Sequence, residues 1–590
     1  MDAQDIFSFI TTQETAFALP IKIEDGWEWN MREHIKLSIL YKNSKFSTGN
    51  NDGNRPYKNI IRPILNLQYR AEGFDVKDIV LFVNDRKNYF KSFLIKKFHE
   101  QWARENKIDT FIDKMVESYV DFGGVLVKNV NEVRPEVVSL QSIVFCDQTD
   151  ILSGPIGIKH YFSPDQLREM EAAGWGNESY GATHTLDDVI TLSQAVKKRD
   201  TQGKEVPTPG KYIEVYEVHG TLPEKFLGEK YSDDENGYCA QMQIVCFYQT
   251  QDMQKQGIVL WKGKEKESPF KLILRDEIFG LALGLGGAEE LFEPQVWVNY
   301  DQIRMKDMLD AVSKVVHLTD DETFYSRNRN LRNIKNNEVL HLADGKTVRQ
   351  MDTYPRNIAI FEKSVQQWEA HAQQMGAAGD AIMGESPSAG TPFKLQELVT
   401  QEAHGIHEYR KGKLATFLDE IYKDWIIPHI VKEITKGQEF VAELDFGEMQ
   451  GVAEQIAENR ANRERNNQVL NGDDLQDKEV IKQQIRDEFM RGGSKKFLEI
   501  IKGEMKGTPV DVSVNIAGKQ KNLSAMTDKV VNIFRQIFAN PQGFLQVMQI
   551  PAAASSFNEI LEFSGMSPID FGGIKLETTQ QPINQPAMAT

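Results

Sequence analysis

The chain has 590 residues, a formal net charge of −17 and a pI near 5.3. A chain of this length forms more than one hydrophobic core, so about three or four domains are expected. A protein that holds nucleic acid tightly is usually basic, because phosphate neutralisation supplies most of that affinity. The acidic balance therefore predicts weak or no bulk DNA binding, while still permitting a surface along which DNA slides.

Composition also restricts the setting in which the protein works. With 40% hydrophobic and 26% charged residues, the sequence has an ordinary globular composition. No apolar run approaches the length of a membrane span, and no signal peptide is recognised at the start. The cysteines Cys146, Cys239 and Cys246 have no paired spacing, which favours a reducing compartment and argues against a disulfide framework or a zinc site.

The first part of the chain predicts helices and one buried strand. The stretch from Trp27 to Tyr41 is typical of a helix, and residues 57–67 form either a strand or a short helix. Ile79 to Val83 predicts a buried strand, with a turn of buried helix as the alternative. Residues 87–119 have a helical pattern with a break near Asn106.

The region from residue 123 to residue 290 is richer in strands. Residues 125–127 and 137–140 predict strands of a small sheet, and alternation over 211–278 predicts the β-rich part of the chain. The glycine-rich stretch 280–287 precedes a helix, as a phosphate-binding loop does. It lacks the Lys-Ser/Thr ending of a P-loop, so we interpret it as a hinge.

Two helices with an interruption between them organise the second half. The first begins near Pro294 and ends near Val316. The second has apolar residues at steps of three and four, which places them on one face: Ile358, Phe361, Val365, Trp368, Ala372 and Met375. Each helix would be about 30 Å long at roughly 1.5 Å per residue. Periodicity alone also fits two core helices of a globular domain.

The interruption, residues 317–355, is polar and carries a basic cluster. Its cations have no acidic residue among them: Arg327, Arg329, Arg332 and Lys335. A capping box from Thr319 to Glu322 precedes them, and the pair Asp320 and Asp321 is expected to be solvated. The cluster is either a solvated basic face or an exposed docking surface for an acidic partner.

A loop rich in small residues, Gly376 to Thr391, follows the second helix. It is either a mobile functional loop or an ordinary surface connection. The third helix runs from Pro392 to about Lys436 and carries His404 and His407 at a spacing that a metal site can use. We interpret the histidines as a surface or inter-subunit pair.

Beyond residue 436 the pattern is mainly helical. Helices are predicted at 452–469, 477–490, 496–505, 523–539, 543–550 and 555–564, with a strand at 510–516. Residues 576–590 lack core-forming side chains and predict disorder. The sequence holds no HExxH motif and no GxSxG elbow, and it predicts no catalytic residue, cofactor or metal site.

In this order, the segments resemble the portal protein of tailed double-stranded DNA bacteriophages. The resemblance rests on LFEPQVWVNYDQIRMKDMLDAVSKVV at 291–316, RNIAIFEKSVQQWEAHAQQMG at 356–376 and DAIMGESPSAGTPFKLQELV at 380–399. Further support comes from NRPYKNIIRPILN at 54–66 and VESYVDFGGVLVK at 116–128. The resemblance covers most of the chain, and residues 380–399 are its most specific part.

The resemblance implies a portal-type fold of the α+β class, mainly helical, with a wing, a two-helix stem, a clip and a C-terminal helical crown. Residues 1–290 are the expected wing, with the β-rich part at about 211–278, and residues 392–446 are its long helix. The remaining parts are stem helices at 291–316 and 356–376, a clip at 317–355, a tunnel loop at 377–391, a crown-type helical region at 447–575 and a disordered tail at 576–590.

The resemblance also implies roles for particular residues. The tunnel-loop residues expected to face DNA are Gly379, Asp380, Ile382, Met383, Glu385, Ser386 and Ser388. The basic cluster Arg327, Arg329, Arg332 and Lys335 is expected to dock partners at the clip. Charges on the first stem helix are expected to pair between neighbouring subunits: Asp301, Arg304, Asp307, Asp310 and Lys314. Between Gly376 and Thr391 the loop has no Lys or Arg, so its expected DNA contact is steric or polar.

The implied protein is a non-enzymatic ring of identical subunits, usually twelve, at one capsid vertex of a virion assembled in the host cytoplasm. It serves as the conduit for packaging and ejection of viral double-stranded DNA. Its expected partners are the terminase large subunit, neck or adaptor proteins and the major capsid protein, without a membrane or a cofactor. The alternatives are a nucleic-acid-processing enzyme with unrecognised motifs and another minor head protein of a virion.

Overall fold

The computed structural model describes residues 3–24, 26–46, 55–83, 89–130, 134–195, 212–228, 237–249, 255–312, 317–328, 339–350, 358–378, 405–436, 438–443, 446–471, 477–491, 495–500 and 510–514. The predicted helices at 523–539, 543–550 and 555–564 and the predicted tail at 576–590 lie outside these residues. Helices and strands are interspersed among the residues described.

The α-helices of the described ranges are α1 (Ala3–Phe17), α2 (Met31–Lys42), α3 (Ile61–Glu72), α4 (Tyr89–Glu105), α5 (Ile108–Phe122), α6 (Pro164–Glu169), α7 (Leu186–Ala195), α8 (Gly287–Glu290), α9 (Phe292–Val312), α10 (Phe324–Arg327), α11 (Ile358–Met375), α12 (Gly405–Ile421), α13 (Ile427–Thr435), α14 (Phe446–Asn471) and α15 (Lys478–Arg491). A π-helical turn, Tyr422–Ile426, precedes α13, whose first turn contains Pro428.

The strands are β1 (Ile21–Glu24), β2 (Trp27–Trp29), β3 (Ile79–Val83), β4 (Gly124–Val130), β5 (Arg134–Val137), β6 (Ile143–Phe145), β7 (Ile156–Phe162), β8 (Ile213–Pro223), β9 (Tyr238–Gln249), β10 (Lys255–Lys264), β11 (Phe270–Leu274), β12 (His317–Thr319), β13 (Val348–Gln350), β14 (Gln438–Glu443), β15 (Lys495–Ile500) and β16 (Val510–Val514). This mixture of helix and sheet confirms the predicted α+β class.

The chain divides into two compact units. Met1–Val76 and Lys107–Ile421 form the first, and Lys77–Asn106 and Tyr422–Thr590 form the second. This division differs from the expected wing of residues 1–290, because β3 pairs with β16 and thereby joins residues near 80 to the C-terminal unit. Pairing between strands so far apart in sequence leaves no local signal.

The first unit is built on two antiparallel sheets. One has the strand order β10-β9-β8-β7-β6 and the other the order β11-β4-β5. A common hydrophobic core contains side chains from both sheets and from the N-terminal helices, among them Ile10, Met31, Leu126, Val218 and Val245. The strands β8 to β11 occupy the stretch 211–278 and confirm the β-rich prediction there.

A buried ion network links the two sheets. His219 on β8 lies between two carboxylates: its Nδ1 is 2.7 Å from Glu265 Oε1 and its Nε2 is 2.9 Å from Glu217 Oε1. Lys128 on β4, in the other sheet, pairs with Glu217 as well. Burial alone would lower the pKa of His219, but the two carboxylate hydrogen bonds outweigh it and raise that pKa.

We expect this network to make stability fall as the pH rises. A group whose pKa is raised on folding stabilises fully below its unfolded pKa, about 6.5 for His, and loses that contribution as the pH passes the folded value. Stability should therefore decline from about pH 6.5 upward, and His219→Gln should flatten the decline. Urea unfolding between about pH 6 and pH 8 measures it. An equal slope in both proteins would contradict the assignment.

The glycine-rich stretch 280–287 is packed rather than free to bend. Gly284, Gly286 and Gly287 are buried, and a Cβ on Gly286 would lie 2.4 Å from the carbonyl oxygen of Asp121. Gly123, which ends α5 with φ +72°, is as close: its Cβ would lie 2.1 Å from the carbonyl oxygen of Gly284. The structure does not support the hinge interpretation, because these glycines permit close backbone approach.

Three local predictions in the first part of the chain can be compared with the structure. The ambiguous stretch 57–67 enters helix α3, and Pro63 occupies its first turn, where no N–H is required. The predicted break near Asn106 is confirmed: α4 ends at Glu105 and Lys107 adopts φ +53° before α5 begins. Of the strand predicted at 137–140 only Val137 is in a strand, because β5 covers Arg134–Val137 and a 3₁₀ turn starts at Leu140.

The second unit combines two-stranded sheets with helices. The strand predicted at Ile79–Val83 is confirmed as β3, and α4 packs against it. His99 of α4 lies 3.0 Å from the hydroxyl of Tyr422 through its Nε2 atom. The predicted helices at 452–469 and 477–490 are confirmed as α14 and α15, which pack together.

The end predicted for the third helix, near Lys436, is confirmed, because α13 ends at Thr435. The bounds 392–446 that the resemblance implies for the long helix extend too far, since residues 438–443 are strand β14. One helical prediction in this unit was wrong. The helix expected at 496–505, in the predicted helical crown, is strand β15 over Lys495–Ile500, paired antiparallel with β14. Short apolar runs do not distinguish helix from strand, and here the pairing decides.

Candidate functional site

The two organising helices form an antiparallel pair. Trp297 of α9 stacks on Trp368 of α11, with ring centroids 6.0 Å apart and an interplanar angle of 8°. Further along α9, Asp301 Oδ2 accepts a hydrogen bond of 2.6 Å from the hydroxyl of Ser364. The residue number rises from 297 to 301 along α9 while that of the contacting residue falls from 368 to 364 along α11, so the two helices are antiparallel.

Most of this helix pair is open to solvent. In α9 the buried residues end at Asp301, and in α11 only Val365 and Ala372 are buried. Large apolar side chains remain exposed, including Leu309 at 54% and Ile360 at 66%. A helix pair gains most of its stability from packing of its apolar faces, so this pair presents surface that another molecule can cover.

One side of the pair is aromatic, and we call it the aromatic flank. It consists of Trp297, Tyr300 and Arg304 on α9 and of Ile360, Trp368, His371 and Met375 on α11. The rings are ordered against each other: Trp297 meets Tyr300 edge to face at 5.9 Å, and the Arg304 guanidinium lies 4.2 Å from the Tyr300 ring centroid. The α11 members follow helical spacing and therefore share one face.

Charged residues occupy other positions of the pair. Glu369 of α11 forms a 2.5 Å ion pair with Lys58, and Lys306 and Asp310 pair at 2.9 Å along α9. The helix pair thus has an aromatic flank and separate charged positions. A surface of this kind suits a heterologous contact, in which two different patches meet.

A small folded module lies at the far end of the pair; we call its described residues, 317–328 and 339–350, the tip module. Strands β12 and β13 pair antiparallel and bring His317 opposite Gln350. Asp321 accepts hydrogen bonds from the Thr323 and Ala343 amides at 2.9 and 2.8 Å. These bonds lower the pKa of Asp321, led by the Thr323 hydroxyl at 2.7 Å.

Asn328 is the second centre of the tip module. Its amide group donates to the carbonyl oxygens of Phe324 at 3.0 Å and His341 at 2.8 Å, and its oxygen accepts from the His341 amide at 2.9 Å. The side chain is buried. It therefore joins the end of α10 to the returning segment, which places exposed apolar side chains at the surface: Leu318, Tyr325, Val339, Leu340 and Leu342.

Replacing Asn328 by alanine should loosen the tip module alone. The change removes the partner of the His341 carbonyl oxygen and amide, while the Phe324 carbonyl oxygen still accepts from the Asn328 backbone amide at 3.0 Å. Each unsatisfied buried group costs about 1–3 kcal/mol. Hydrogen exchange of the His341 amide should rise at least tenfold, while exchange in the five-stranded sheet stays unchanged. Glu322→Ala, at an exposed neighbouring position, is the matched control. Unchanged exchange at His341 would contradict this account.

The opposite end of the pair, its root, is tightly held. Gln68 of α3 donates to the carbonyl oxygen of Gly376 at 3.1 Å, and His407 Nε2 lies 3.2 Å from the carbonyl oxygen of Ala377. Ala377 itself adopts φ +50°, a left-handed conformation that costs a non-glycine residue free energy. The chain is thus fixed where it leaves α11, at the start of the predicted tunnel loop.

A cluster of ionisable side chains, most of them buried, surrounds this point; we call it the root cluster. Its members come from α3, α8, α12 and the end of β11: Glu72, Arg275, Asp276, Glu290, His407 and Arg410. Arg275 donates to Glu72 at 2.9 Å and both side chains are 0% exposed. Arg410 donates to Asp276 at 2.5 Å. Four segments of the chain therefore meet at one set of ion pairs.

The pKa values of two carboxylates in the root cluster, Glu72 and Glu290, shift in opposite directions. Burial alone would raise the pKa of Glu72, but the hydrogen bond with His407 and the charges of Arg275 and Arg410 lower it. Burial dominates at Glu290 and raises its pKa despite the two arginines. Glu72 is accordingly the charged centre on which the cluster depends.

Comparison with solved structures finds similarities of low sequence identity. No protein-family model matches the chain, and no curated protein matches it in sequence. A chain in the virion of a native gene transfer agent particle is 8% identical, with a TM-score of 0.33, covering 95% of this chain and 99% of that one.

A chain in the neck of an empty gene transfer agent particle is 9% identical, with a TM-score of 0.31, covering 72% of this chain and 84% of that one. Similarities at these TM-scores do not establish a shared fold. The residues of the helix pair, the tip module and the root cluster therefore carry the functional argument.

The residues predicted on the first stem helix have different environments. Asp301 is buried and bonded to Ser364 of its own chain, so it does not fit the predicted pairing between subunits. Arg304 stacks on Tyr300, and Asp310 pairs with Lys306. Asp307 is exposed. Lys314 lies outside the described residues.

The tip and loop predictions fall only partly within the described ranges. Arg327 is exposed at the end of α10. The other basic residues, Arg329, Arg332 and Lys335, lie outside those ranges, as do the predicted tunnel-loop residues Gly379, Asp380, Ile382, Met383, Glu385, Ser386 and Ser388. Their roles stay predictions.

Three smaller predictions about this region are corrected. The capping box does not form: the Thr319 hydroxyl accepts from the Asp321 amide, and α10 begins only at Phe324. Asp321 is buried in the tip module rather than solvated. His407 is 1% exposed and belongs to the root cluster, so it is not a surface residue, while His404 lies outside the described residues.

The sequence interpretation missed the aromatic flank and the root cluster. The only local signal for the flank was the presence of Trp297 and Trp368 in helices already predicted as neighbours. The root cluster has no local signal, because Glu72, Arg275 and Arg410 come from distant segments. Only the three-dimensional packing of α3, α12 and β11 brings them together.

Metal and thiol chemistry has little support within the ranges the structure covers. Among those residues, no group of three or more His, Cys, Asp and Glu is arranged to hold a metal ion. The thiols of Cys146, Cys239 and Cys246 are free. Burial raises the pKa of Cys146 and of Cys246 to about 12, which keeps both thiols protonated and unreactive. No described helix is long and apolar enough to cross a membrane.

Proposed function

We propose that this protein is a portal-type subunit of a phage-like virion, which assembles with identical copies into a ring through which double-stranded DNA passes. The observation that carries the proposal is the helix pair α9–α11, whose aromatic flank is exposed in the single chain. The resemblance of these helices to portal stem helices supports the same interpretation.

The exposed flank favours a ring of identical copies over a lone subunit. Contiguous exposed apolar surface marks an interaction site, and here it lies along a long helix pair rather than at a single pocket. A contact between the aromatic flank of one copy and a different face of the next is heterologous, and such contacts produce rings when the rotation closes.

The charge of the chain suits a conduit rather than a DNA clamp. The net charge of −17 repels phosphates on average. Tight DNA binding would require a basic groove, whereas a translocation channel has to release DNA at every step. We therefore propose passage of DNA without strong retention.

In this proposal the parts of the chain have distinct roles. The helix pair is the stem, and the tip module is the clip, which meets the terminase large subunit during packaging and neck or adaptor proteins afterwards. Residues 377–391 are the tunnel loop facing DNA, held at one end by the root cluster. The ring occupies one vertex of the capsid and contacts the major capsid protein there.

Electron microscopy of the purified full-length protein tests the proposal directly. We expect closed rings with a central hole and countable symmetry. Ile360→Asp places a charge on the aromatic flank at a 66% exposed position, so it should leave the fold intact and shift particles from rings to monomers. Leu152→Asp, at another exposed apolar position, should leave the rings unchanged. Monomers of the unaltered protein at every concentration would refute the proposal.

The clip assignment has its own test. Reversing the charges at Arg327, Arg329 and Arg332 should spare ring assembly and weaken binding of terminase to the ring at least tenfold, with a smaller effect at high salt because exposed charges are screened. Surface plasmon resonance with immobilised rings measures this affinity. Reversing Lys22, which is exposed at a strand far from the tip in sequence, is the control. Unchanged terminase affinity would remove the basic cluster from the docking surface.

A further inference from the structure

Helix α3 presents a surface without acidic side chains in an otherwise acidic chain. Its exposed residues are Arg62, Pro63, Asn66 and Arg70. Its one acidic residue, Glu72, is 0% exposed and belongs to the root cluster. The chain has 86 Asp and Glu residues against 69 Lys and Arg residues. A helix surface whose only charges are positive therefore differs from the overall balance of the chain.

Both arginines of this surface keep their charge for an external partner. Neither guanidinium forms a hydrogen bond or an ion pair within the part of the chain that the structure describes. Lys58 nearby differs, because its ammonium lies 2.5 Å from a carboxylate oxygen of Glu369. Arg62, Asn66 and Arg70 follow at steps of four residues, which places them along one side of the helix; we call them the α3 stripe. The two arginines are about 12 Å apart at roughly 1.5 Å per residue.

The α3 stripe lies beside the end of the helix pair. Asn66 and Arg70 line a surface recess of about 480 Å³ together with Gln373 of α11 and Ala378. Ala378 is the last described residue before the proposed tunnel loop, so the stripe adjoins the point from which that loop departs. The loop has no Lys or Arg between residues 376 and 391. Helix α3 therefore places next to the loop the cations that the loop lacks.

We propose that the α3 stripe contacts the backbone phosphates of double-stranded DNA in the channel, through Arg62 and Arg70. This inference rests on the proposed function and assigns a DNA-contacting surface to it. A guanidinium group binds two phosphate oxygens at once in a bidentate pair, and the amide of Asn66 can donate to a phosphate between them. Backbone phosphates carry no sequence information directly, so the contact is independent of DNA sequence.

The stripe is compatible with the passage of DNA. Phosphate contacts allow a protein to slide along DNA. Each copy provides two arginines in the stripe, while its net charge of −17 repels phosphates on average. The stripe therefore holds DNA near one surface without the strong retention that a continuous basic groove would give.

The salt dependence of DNA binding tests the contact. Fluorescence anisotropy of a labelled duplex, titrated with the full-length protein between about 50 and 200 mM salt, measures it. Arg62→Gln with Arg70→Gln should lower the affinity at about 50 mM salt at least tenfold. It should also reduce the slope of log affinity against log salt by about 0.9 for each arginine that contacts a phosphate. Arg134→Gln with Lys266→Gln, two exposed cations outside α3, changes the net charge equally and should leave affinity and slope unchanged.

Four results would overturn the proposal. The first is an unchanged slope in the α3 double variant, and the second is an equal loss in the control variant, which would indicate a general effect of charge. The third is no measurable DNA binding by the unaltered protein at low salt. The fourth is a double variant that loses association between copies while its DNA affinity is unchanged, which would assign the stripe to an acidic surface of another copy.

Tethered cleavage locates the DNA directly. Asn66→Cys, labelled with a thiol-reactive iron chelate that generates hydroxyl radicals, should cut a bound duplex, because position 66 is exposed between the two arginines. The unaltered protein, which has three native cysteines, measures the background. Leu152→Cys, at an exposed position outside α3, is the matched control. Cleavage by the labelled Asn66→Cys protein that does not exceed these two levels would refute the contact.

The outcomes separate this inference from the ring proposal. Rings whose DNA affinity is the same with and without the two arginines would refute the α3 contact and leave the ring intact. A protein that forms no rings, but whose DNA affinity and salt slope depend on Arg62 and Arg70, would support the contact and refute the ring.

Discussion

Replacing Glu72 by alanine should lower the free energy of unfolding by about 3–5 kcal/mol, the usual cost of removing one partner from a buried ion pair. Glu72 is 0% exposed and accepts from Arg275, whose side chain is also 0% exposed, at 2.9 Å. Its loss leaves a buried guanidinium without its main counter-charge. His407 and Arg410 lose a partner as well.

The cost should be far larger than for an ion pair on the surface. Lys22 and Glu28 form such a pair, with side chains 81% and 53% exposed, and exposed pairs are typically worth about 0–1 kcal/mol. Glu28→Ala is therefore the matched control for Glu72→Ala. Urea unfolding with comparison of the slopes measures both, because a change in midpoint at constant slope reports stability.

A double replacement separates burial of charge from packing. Glu72→Leu with Arg275→Met removes both charges and keeps apolar volume, and such exchanges are often close to neutral. We expect the double variant to be more stable than Glu72→Ala. Arg410 keeps Glu290 and Asp276 as counter-charges in both variants. If Glu72→Ala costs no more than Glu28→Ala, the root cluster does not hold the four segments together.

Helical periodicity carried most of what the sequence could predict. The spacing of apolar residues predicts α11 and the face that holds its buried Val365 and Ala372, and both helices lie close to their predicted positions. The break at Lys107 was visible because Asn106 interrupts the pattern. Local information of this kind does not depend on how distant segments meet.

Long-range pairing could not be predicted in the same way. Strand β15 was predicted as a helix because its short apolar run has no decisive period, and only its partner β14 fixes its conformation. The root cluster depends on contacts between Glu72, Arg275 and Arg410, which lie far apart in the chain. The candidate site was thus predictable in its helices and unpredictable in the contacts that hold its root.

The close backbone contact between Gly123, at the end of α5, and the glycines before α8 shows why the hinge interpretation failed. We call this contact the glycine crossing. Small residues in a row suggested flexibility, yet Gly284 and Gly286 are buried against backbone atoms of residues 121–123. A sequence of glycines indicates that side chains are absent. It does not indicate whether the freed space is used for motion or for close packing.

Gly123→Ala should therefore be among the most damaging single replacements in the chain, with an expected loss of about 2–5 kcal/mol. One part is conformational, since φ +72° lies in the left-handed region and costs an L-residue roughly 1–2 kcal/mol. The other part is steric, because the new Cβ would lie 2.1 Å from the Gly284 carbonyl oxygen, and overpacking typically costs about 1–3 kcal/mol.

The chain contains controls that separate the two parts. Gly280→Ala has the conformational cost alone, since φ is +84° and a Cβ there would meet nothing within 4 Å. Gly286→Ala has the steric cost alone, because its Cβ would lie 2.4 Å from the Asp121 carbonyl oxygen without a left-handed φ. Urea unfolding of all three variants should rank Gly123→Ala as the least stable. If Gly123→Ala and Gly286→Ala lose no more stability than Gly280→Ala, the crossing yields under strain, and the hinge interpretation is restored.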